Sequence, residues 1–389
     1  MSTTNRGPLA GVKVIEFGQI AAGPFAGMLF ADLGADVVKV ERPDVGDSMR
    51  EWPPFFTNEE GEGYSSNFSS LNRNKRSVAI DFKAPDELAR LQALCAQADV
   101  IVENYRPGVL AKFGLHYDQL AASNPKLVYC SISGYGQTGA YAQKGAFDVT
   151  IQAISGLMSV TGEEDGEPVK CGVPVADFVA GLYGAYSVVA AIHQAALTGK
   201  GSYIDCSMLA SVLGISALQT SEYYGNGIAP KRLGSAHPRN APYQGYHGSD
   251  KPFVIAAGNE KLWREVVDAV EQPALADDPR FQNQTLRAKH QKELVQLLQG
   301  SFIQKTAGEW LDIFDQRGVP CAPMNTFEDI LQDPVVAESG LIHELQLPNQ
   351  TQTMTVGYPV KLTDYTFQIY RNPPRKGEHT EDIFQEWGV

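Results

Sequence analysis

The chain has 389 residues, 43% of them hydrophobic and 20% charged, with a formal net charge of −13. That length exceeds what a single hydrophobic core usually organises, so two domains are expected. The acidic balance excludes a surface that coats nucleic acid, which needs clustered Lys and Arg, but leaves room for a local basic pocket.

Residues 1–8 carry no apolar signal core, so a cytoplasmic protein is expected. Residues 12–17 form a compact apolar run ending in Gly18-Gln19-Ile20-Ala21-Ala22-Gly23-Pro24; a helical stretch to Leu33 and a second run at 36–40 follow. This predicts strand, helix and parallel strand. Further strands are expected at 77–82, 99–103 and 126–133, separated by helical segments such as 85–97 and a short one around Leu110. Such alternation predicts an α/β fold with a parallel sheet covered by helices. Glu41, just after the second strand, could hold a ribose hydroxyl. However, Gly18 and Gly23 have four residues between them, not the G-x-G-x-x-G spacing, and Arg42 follows the acid at once, so a dinucleotide site is not supported.

Two helices, 148–158 and 178–197, flank a polar, acidic, hairpin-like insertion at 161–168. The second is long and apolar enough to resemble a membrane span. It carries Ser187, His193 and Gln194 and lacks basic flanks on its N-terminal side, so a buried helix and no membrane partner are expected. A strand at 202–205 and a helix at about 208–223 lead to 225–250, rich in Gly, Pro, Asn and Arg, which marks a domain boundary. Beyond it, a strand at 253–257 and helices at 260–270, 285–298 and 306–317 predict a small α+β domain. Residues 319–323 read as a linker leading back, 354–362 as an edge strand, and the tail from Arg371 as loop and a short final helix. The five cysteines, Cys95, Cys130, Cys171, Cys206 and Cys321, are odd in number and form no CxxC pair, as expected of reduced thiols.

Asp177 is a carboxylate in an otherwise apolar stretch, Gly172-Val173-Pro174-Val175-Ala176-Asp177-Phe178. An ionised group there loses solvation and needs a specific compensation. Two readings are open: the N-cap of a helix starting at Phe178, or a catalytic nucleophile or base. Other chemistries find little support. There is no G-x-S-x-G elbow, no Walker loop and no H-x-x-x-H or H-E-x-x-H pair, so no metal is expected. Arg42, Lys83, Arg106, Lys112 and Lys144 fall near the ends of the expected strands. Each alone reads as a surface charge; several at a ligand crevice would suit a polyphosphate.

The stretches Pro8-Leu9-Ala10-Gly11-Val12-Lys13-Val14-Ile15-Glu16-Phe17, Ala22-Gly23-Pro24, Leu33-Gly34-Ala35-Asp36-Val37-Val38-Lys39-Val40-Glu41, Asn74-Lys75-Arg76-Ser77 and Val102-Glu103-Asn104-Tyr105-Arg106-Pro107-Gly108 occur in that order. With Ser133-Gly134-Tyr135-Gly136, Thr198-Gly199-Lys200-Gly201 and Gly377-Glu378-His379-Thr380, the chain resembles the family III CoA-transferases, a superfamily that includes α-methylacyl-CoA racemases. The resemblance implies a Rossmann-like large domain with a parallel sheet, built from residues 1–224 and 326–389, and a small α+β domain at 225–325. It also implies a homodimer of interlocked rings. It places the nucleophile at Asp177 and contacts to coenzyme A at Ile20, Ala21, Arg42, Ile80, Lys83, Asn104, Arg106, Lys112 and Lys144.

The implied activity is reversible transfer of CoA from an acyl-CoA thioester to a free carboxylic acid through an aspartyl anhydride and an aspartyl-CoA thioester. The CoA thioester is then a substrate, and no prosthetic group is required. Backbone amides at the start of the helix from Phe178, and Gln19, are the expected donors to the developing oxyanion. The glycine-rich loop that shields the intermediate in formyl-CoA transferase has no counterpart here, where Arg232-Leu233-Gly234-Ser235-Ala236-His237-Pro238-Arg239 stands instead. Arg239 or Tyr243 could receive a second carboxylate, favouring dicarboxylic acids. The alternative is a 2-methylacyl-CoA racemase, which pairs the Asp with a His in a Gly-His-Asp stretch. The stretch here is Gly145-Ala146-Phe147-Asp148, and Phe147 cannot accept a proton.

Overall fold

Six strands form one parallel sheet in the computed structural model, which describes residues 7–389. They are β1 (Lys13–Phe17), β2 (Asp36–Glu41), β3 (Lys75–Ala79), β4 (Val100–Glu103), β5 (Val128–Ser133) and β6 (Ser202–Ser207). Their order across the sheet is β3-β2-β1-β4-β5-β6, with every neighbouring pair parallel. Val14, Ile15, Val37, Val38 and Val100 to Val102 are fully buried, as expected where helices cover both faces of a parallel sheet. The order reverses between β1 and β4. In such sheets the crevice outside the carboxyl ends at that reversal receives ligands, and here it is edged by the loops after Phe17 and Glu103.

The described residues fall into two compact units: one comprising the chain to Leu157, Lys170–Gly227 and Ala337–Val389, the other Met158–Val169 and Ile228–Val336. The first holds the parallel sheet with α1 (Ala22–Asp32), α2 (Asp148–Ile154) and α3 (Val175–Thr198). The second has an antiparallel sheet, ordered β9-β8-β7, of β7 (Tyr243–His247), β8 (Pro252–Ala256) and β9 (Cys321–Pro323). An aromatic core of Tyr246, Phe253, Trp263, Phe302, Trp310 and Phe314 fills it.

Several elements differ from the sequence reading for identifiable reasons. β3 starts at Lys75, two residues before the apolar run, because both cations, buried themselves, find carboxylate partners. Lys75 meets Glu16, and Arg76 pairs with Asp36 and Glu386. Residues 319–323 are not a linker, since Cys321, Ala322 and Pro323 pair with Ile255, Val254 and Phe253. The strand expected at 354–362 is instead Gln352–Val356, paired with Ile342–Gln346 in a separate ribbon. The helix expected at 208–223 breaks at Ser216 into Met208–Ile215 and Ala217–Asn226. The long apolar helix is buried along one stripe, Val179, Ala180, Gly184, Val188, Ala191 and Ala195. Its opposite face, with Leu182, Tyr183, Tyr186 and Leu197, is exposed in the single chain. All five cysteines are free.

Candidate active site

The loop after β1 returns on itself at two glycines. A Cβ on Gly18 would lie 2.7 Å from Pro24 Cδ, and one on Gly23 would lie 2.9 Å from Gly18 Cα. This mutual approach, rather than a phosphate fingerprint, accounts for the Gly18/Gly23 spacing. Asn104, from the loop after β4, clamps the turn from the other side. Its Oδ1 accepts from the Gln19 N–H at 2.8 Å and its Nδ2 donates to the Gln19 carbonyl at 2.9 Å. The Gln19 carboxamide donates to the Tyr105 hydroxyl at 3.4 Å. Ile20 follows with φ +64°. Glu41 is committed to structure: its carboxylate receives Arg50 at 2.6 Å, the Ser77 hydroxyl at 2.6 Å and the Asp47 N–H at 2.9 Å.

Asp177 is not an N-cap. α3 begins two residues earlier, at Val175, with Pro174 in the cap position, so Asp177 sits inside the first turn. The orphan amides there are met by other groups. Asp148, first residue of α2, accepts the Ala176 N–H at 2.9 Å, and the Phe178 N–H reaches the Pro174 carbonyl at 3.2 Å. The sequence reading of free amides from Phe178 onward therefore fails for Phe178 itself. Gln152, one turn along α2, accepts the Cys171 N–H at 2.8 Å and donates to Asp148 at 2.7 Å. Asp148 and Gln152 thus fix the approach to α3. The Asp177 carboxylate has no hydrogen-bond or ion-pair partner among the described residues. Burial, reinforced by the charge of Asp148, pushes its pKa up to about 7.

Asp177 opens into a cavity of about 360 Å³ at the sheet's switch point. It is walled by Gln19 to Ala22, Asn104 to Pro107, Ile132 to Gly134, Ala142, Lys144, Ala146, Phe147 and Met208. Two cations reach it. Lys144 stands 4.9 Å from the Tyr141 ring centroid, and the Arg106 guanidinium lies against the Gly145 backbone. A poorly solvated carboxylate, two cations and a doubly anchored loop suit an anionic ligand whose reactive carbonyl is brought to Asp177. The sequence profile described as CoA-transferase family III matches residues 9–380. The chain belongs to that family.

It is therefore an enzyme that moves CoA between an acyl-CoA thioester and a free carboxylic acid. A succinyl-CoA:glutarate CoA-transferase from Mus musculus is 38% identical, over 97% of this chain and 86% of that one. A succinate–glutarate CoA-transferase from Agrobacterium fabrum is also 38% identical, over 97% of this chain and 95% of its own. A crystal structure of a CAIB/BAIF family protein from Brucella suis matches with a TM-score of 0.88 at 38% identity, covering 98% of this chain and all of that one.

Of the residues expected at the site of this family III enzyme, the cavity gathers Asp177, Ile20, Ala21, Asn104, Arg106 and Lys144. Arg42, Ile80, Lys83 and Lys112 do not line it. Arg42 is exposed and paired with Asp44 at 2.5 Å. The Ile80 side chain is turned into the core, and Lys83 and Lys112 are exposed elsewhere. Phe147, the residue in the Gly145-Ala146-Phe147-Asp148 stretch, is 70% exposed and lines the cavity. The sequence reading used Asp148 only to align Phe147 and missed its role at the start of α3. It also missed Tyr105 and Asp47. The spacing of Asp148 and Gln152, one turn apart on one helix face, was the available signal.

Proposed function

We propose that Asp177 is the nucleophile of the transfer. The observation that carries this reading is an unpartnered carboxylate, raised to about 7, opening into the cavity walled by Gln19, Asn104, Arg106 and Lys144. An Asp177 oxygen attacks the acyl carbonyl and the C–S bond breaks, leaving a mixed aspartyl–acyl anhydride and CoA thiolate. The thiolate attacks the aspartyl carbonyl, releases the donor acid and forms an aspartyl-CoA thioester. The acceptor carboxylate then attacks that thioester, expelling thiolate and forming a second anhydride. The returning thiolate takes the new acyl group and restores the Asp177 carboxylate. Carboxylates are weak nucleophiles, so positioning and oxyanion donors carry the rate. The Gln19 carboxamide, held only by a 3.4 Å contact to Tyr105, is the donor best free to turn toward the reacting carbonyl.

Arg106 and Lys144 bind phosphate groups of CoA beside the cavity, with Ile20, Ala21 and Asn104 against the nucleotide. Arg42, Lys83 and Lys112 are proposed contacts outside the cavity, and Ile80 contributes through its backbone. The relatives' names support dicarboxylic acids of succinate and glutarate size. The unit with the parallel sheet is proposed as the Rossmann-like CoA-binding domain, and that with the antiparallel sheet as the small domain, in a cytoplasmic enzyme.

A homodimer, with the interlocked arrangement implied by the resemblance, is proposed as the working form. Its support is the exposed apolar face of α3, including Tyr186 at 76% exposure, beside an apolar groove of about 840 Å³ containing Phe25, Leu33, Phe178, Leu182, Val189 and Met354.

The test is Asp177→Asn, assayed with succinyl-CoA and glutarate. Turnover should fall by at least about three orders of magnitude while desulfo-CoA still binds. Retained turnover would remove Asp177 from the mechanism. A panel of mono- and dicarboxylic acceptors should favour the dicarboxylates, and preference for a short monoacid would overturn that assignment.

A further inference from the structure

Beneath the loop that forms one wall of the cavity lies a charge cluster with no role in the transfer chemistry. Glu16 on β1, Lys39 on β2, Lys75 on β3 and Asp47 in the segment after β2 are all buried. The Glu16 carboxylate bridges the two ammonium groups, Oε1 to Lys39 at 2.9 Å and Oε2 to Lys75 at 2.7 Å, and Lys39 continues to Asp47 Oδ2 at 2.9 Å. Two cations and two anions leave this group neutral, which is how charges persist in an interior.

Each ammonium also grips one end of the loop. Lys39 donates to the Gly18 carbonyl at 2.7 Å and Lys75 to the Pro24 carbonyl at 2.8 Å. Asp47 reaches the middle, accepting the Ile20 N–H at 3.1 Å to Oδ1 and 3.3 Å to Oδ2. Its Oδ1 also accepts the Met49 N–H at 3.0 Å, capping the short helix Ser48–Glu51. Burial opposes the charge on Asp47, yet Lys39 and these amides hold its carboxyl below the usual range.

Ile20, at φ +64°, is a β-branched residue in the left-handed region. That region is strained for such a side chain and persists only where surroundings impose it. Gln19, Ile20 and Ala21 all line the cavity.

We propose that Asp47 is a positioning residue of the CoA site: anchored by Lys39 and Glu16, it locks Ile20 in the left-handed conformation that presents Gln19 to Ala21 to the bound thioester. The proposal rests on the reading of this cavity as the CoA site.

The experiment compares three single variants and one double by calorimetric titration with desulfo-CoA, with melting temperature and steady-state kinetics on succinyl-CoA alongside. Glycine adopts positive φ freely, whereas proline is fixed near −65°. Both lose the isoleucine side chain, and proline also removes the N–H that Asp47 accepts, so the pair reads φ and that hydrogen bond together. Ile20→Gly gives up the isoleucine contact with the nucleotide and sets the reference affinity for the other variants. Relative to Ile20→Gly, Ile20→Pro should weaken desulfo-CoA by at least tenfold and raise the succinyl-CoA KM in proportion. Asp47→Ser retains a capping oxygen for Met49 but is too short to hold Ile20, and should also lose at least tenfold. In the Ile20→Gly background the same serine substitution should cost less than threefold, because glycine needs no clamp. Equal binding by the Gly and Pro variants, unchanged binding by Asp47→Ser, or a serine penalty that persists beside glycine would overturn the clamp. If Asp47→Ser does not fold, the two substitutions at Ile20 leave the buried charges intact and decide the question alone. Failure of the unaltered chain to bind desulfo-CoA would instead overturn the site assignment, and the clamp's role with it.

Discussion

The ionisation of Asp177 couples catalysis and stability in opposite directions. Burial first, and the neighbouring Asp148 second, raise its carboxyl from 3.8 to about 7. If the anion is the nucleophile, kcat/KM should climb between pH 6 and 8 with an apparent pKa near 7. Glu103, also raised to about 7 by burial, titrates in the same window. Glu103→Gln should leave this limb in place, and its disappearance in that variant would reassign it. Asp148→Asn keeps an acceptor for the Ala176 N–H but removes the like charge, so the limb should move to lower pH without reaching the usual carboxylate range. For stability the sign is reversed. Between 3.8 and 7 the folded chain binds more protons at Asp177 than the unfolded chain, so this group's contribution falls as pH rises. Asp177→Asn should therefore melt higher than the unaltered chain at pH 8, with the advantage gone by about pH 4. Thermal melts at the two pH values check it. The family resemblance singled out Asp177 as the proposed nucleophile, but its place in the helix was not legible. The helix starts at Val175, ahead of Asp177, and the Ala176 N–H in its first turn is taken by Asp148, 28 positions earlier in the chain; no local pattern encodes such a partner.

At the scale of elements, the apolar runs of β1, β2, β4 and β5 announced a parallel sheet, and the sheet formed where they lie. What hid the start of β3 was charge: Lys75 and Arg76 read as loop residues until Glu16, Asp36 and Glu386 are brought beside them. Lys75 illustrates the cost of that arrangement. Burial pulls its pKa down to about 8 although Glu16 opposes the shift. Lys39→Met would leave Asp47 and half of Glu16 uncompensated in a region without solvent. Breaking one side of such a pair costs roughly 3–5 kcal/mol, so the denaturant midpoint should fall steeply. Replacing Glu16 and Lys75 together by Gln and Met should cost much less than the sum of the single changes, since it removes one charge of each sign. Equal and additive losses in the double-mutant cycle would show that the cluster is not energetically coupled.

For the whole molecule, the composition changes near residue 225, and the second compact unit comprises Ile228–Val336 together with Met158–Val169. The membership of Met158–Val169 in that unit was invisible because it depends on contacts with residues far along the chain. The long helix carries the same lesson. Its composition suggested burial, yet half of its circumference stays open in one chain, with Leu197 74% exposed. If a second copy covers that face, sedimentation should show a dimer at micromolar concentration and the melting temperature should rise with protein concentration. A monomer with a concentration-independent melt would contradict it. A covalent aspartyl-CoA thioester at Asp177 is open to peptide mass analysis. With succinyl-CoA and no acceptor acid, the peptide bearing Asp177 should gain the mass of CoA less one water. The adduct should vanish on adding glutarate and be absent in Asp177→Asn. Turnover without such an adduct, or an adduct on another residue, would contradict it.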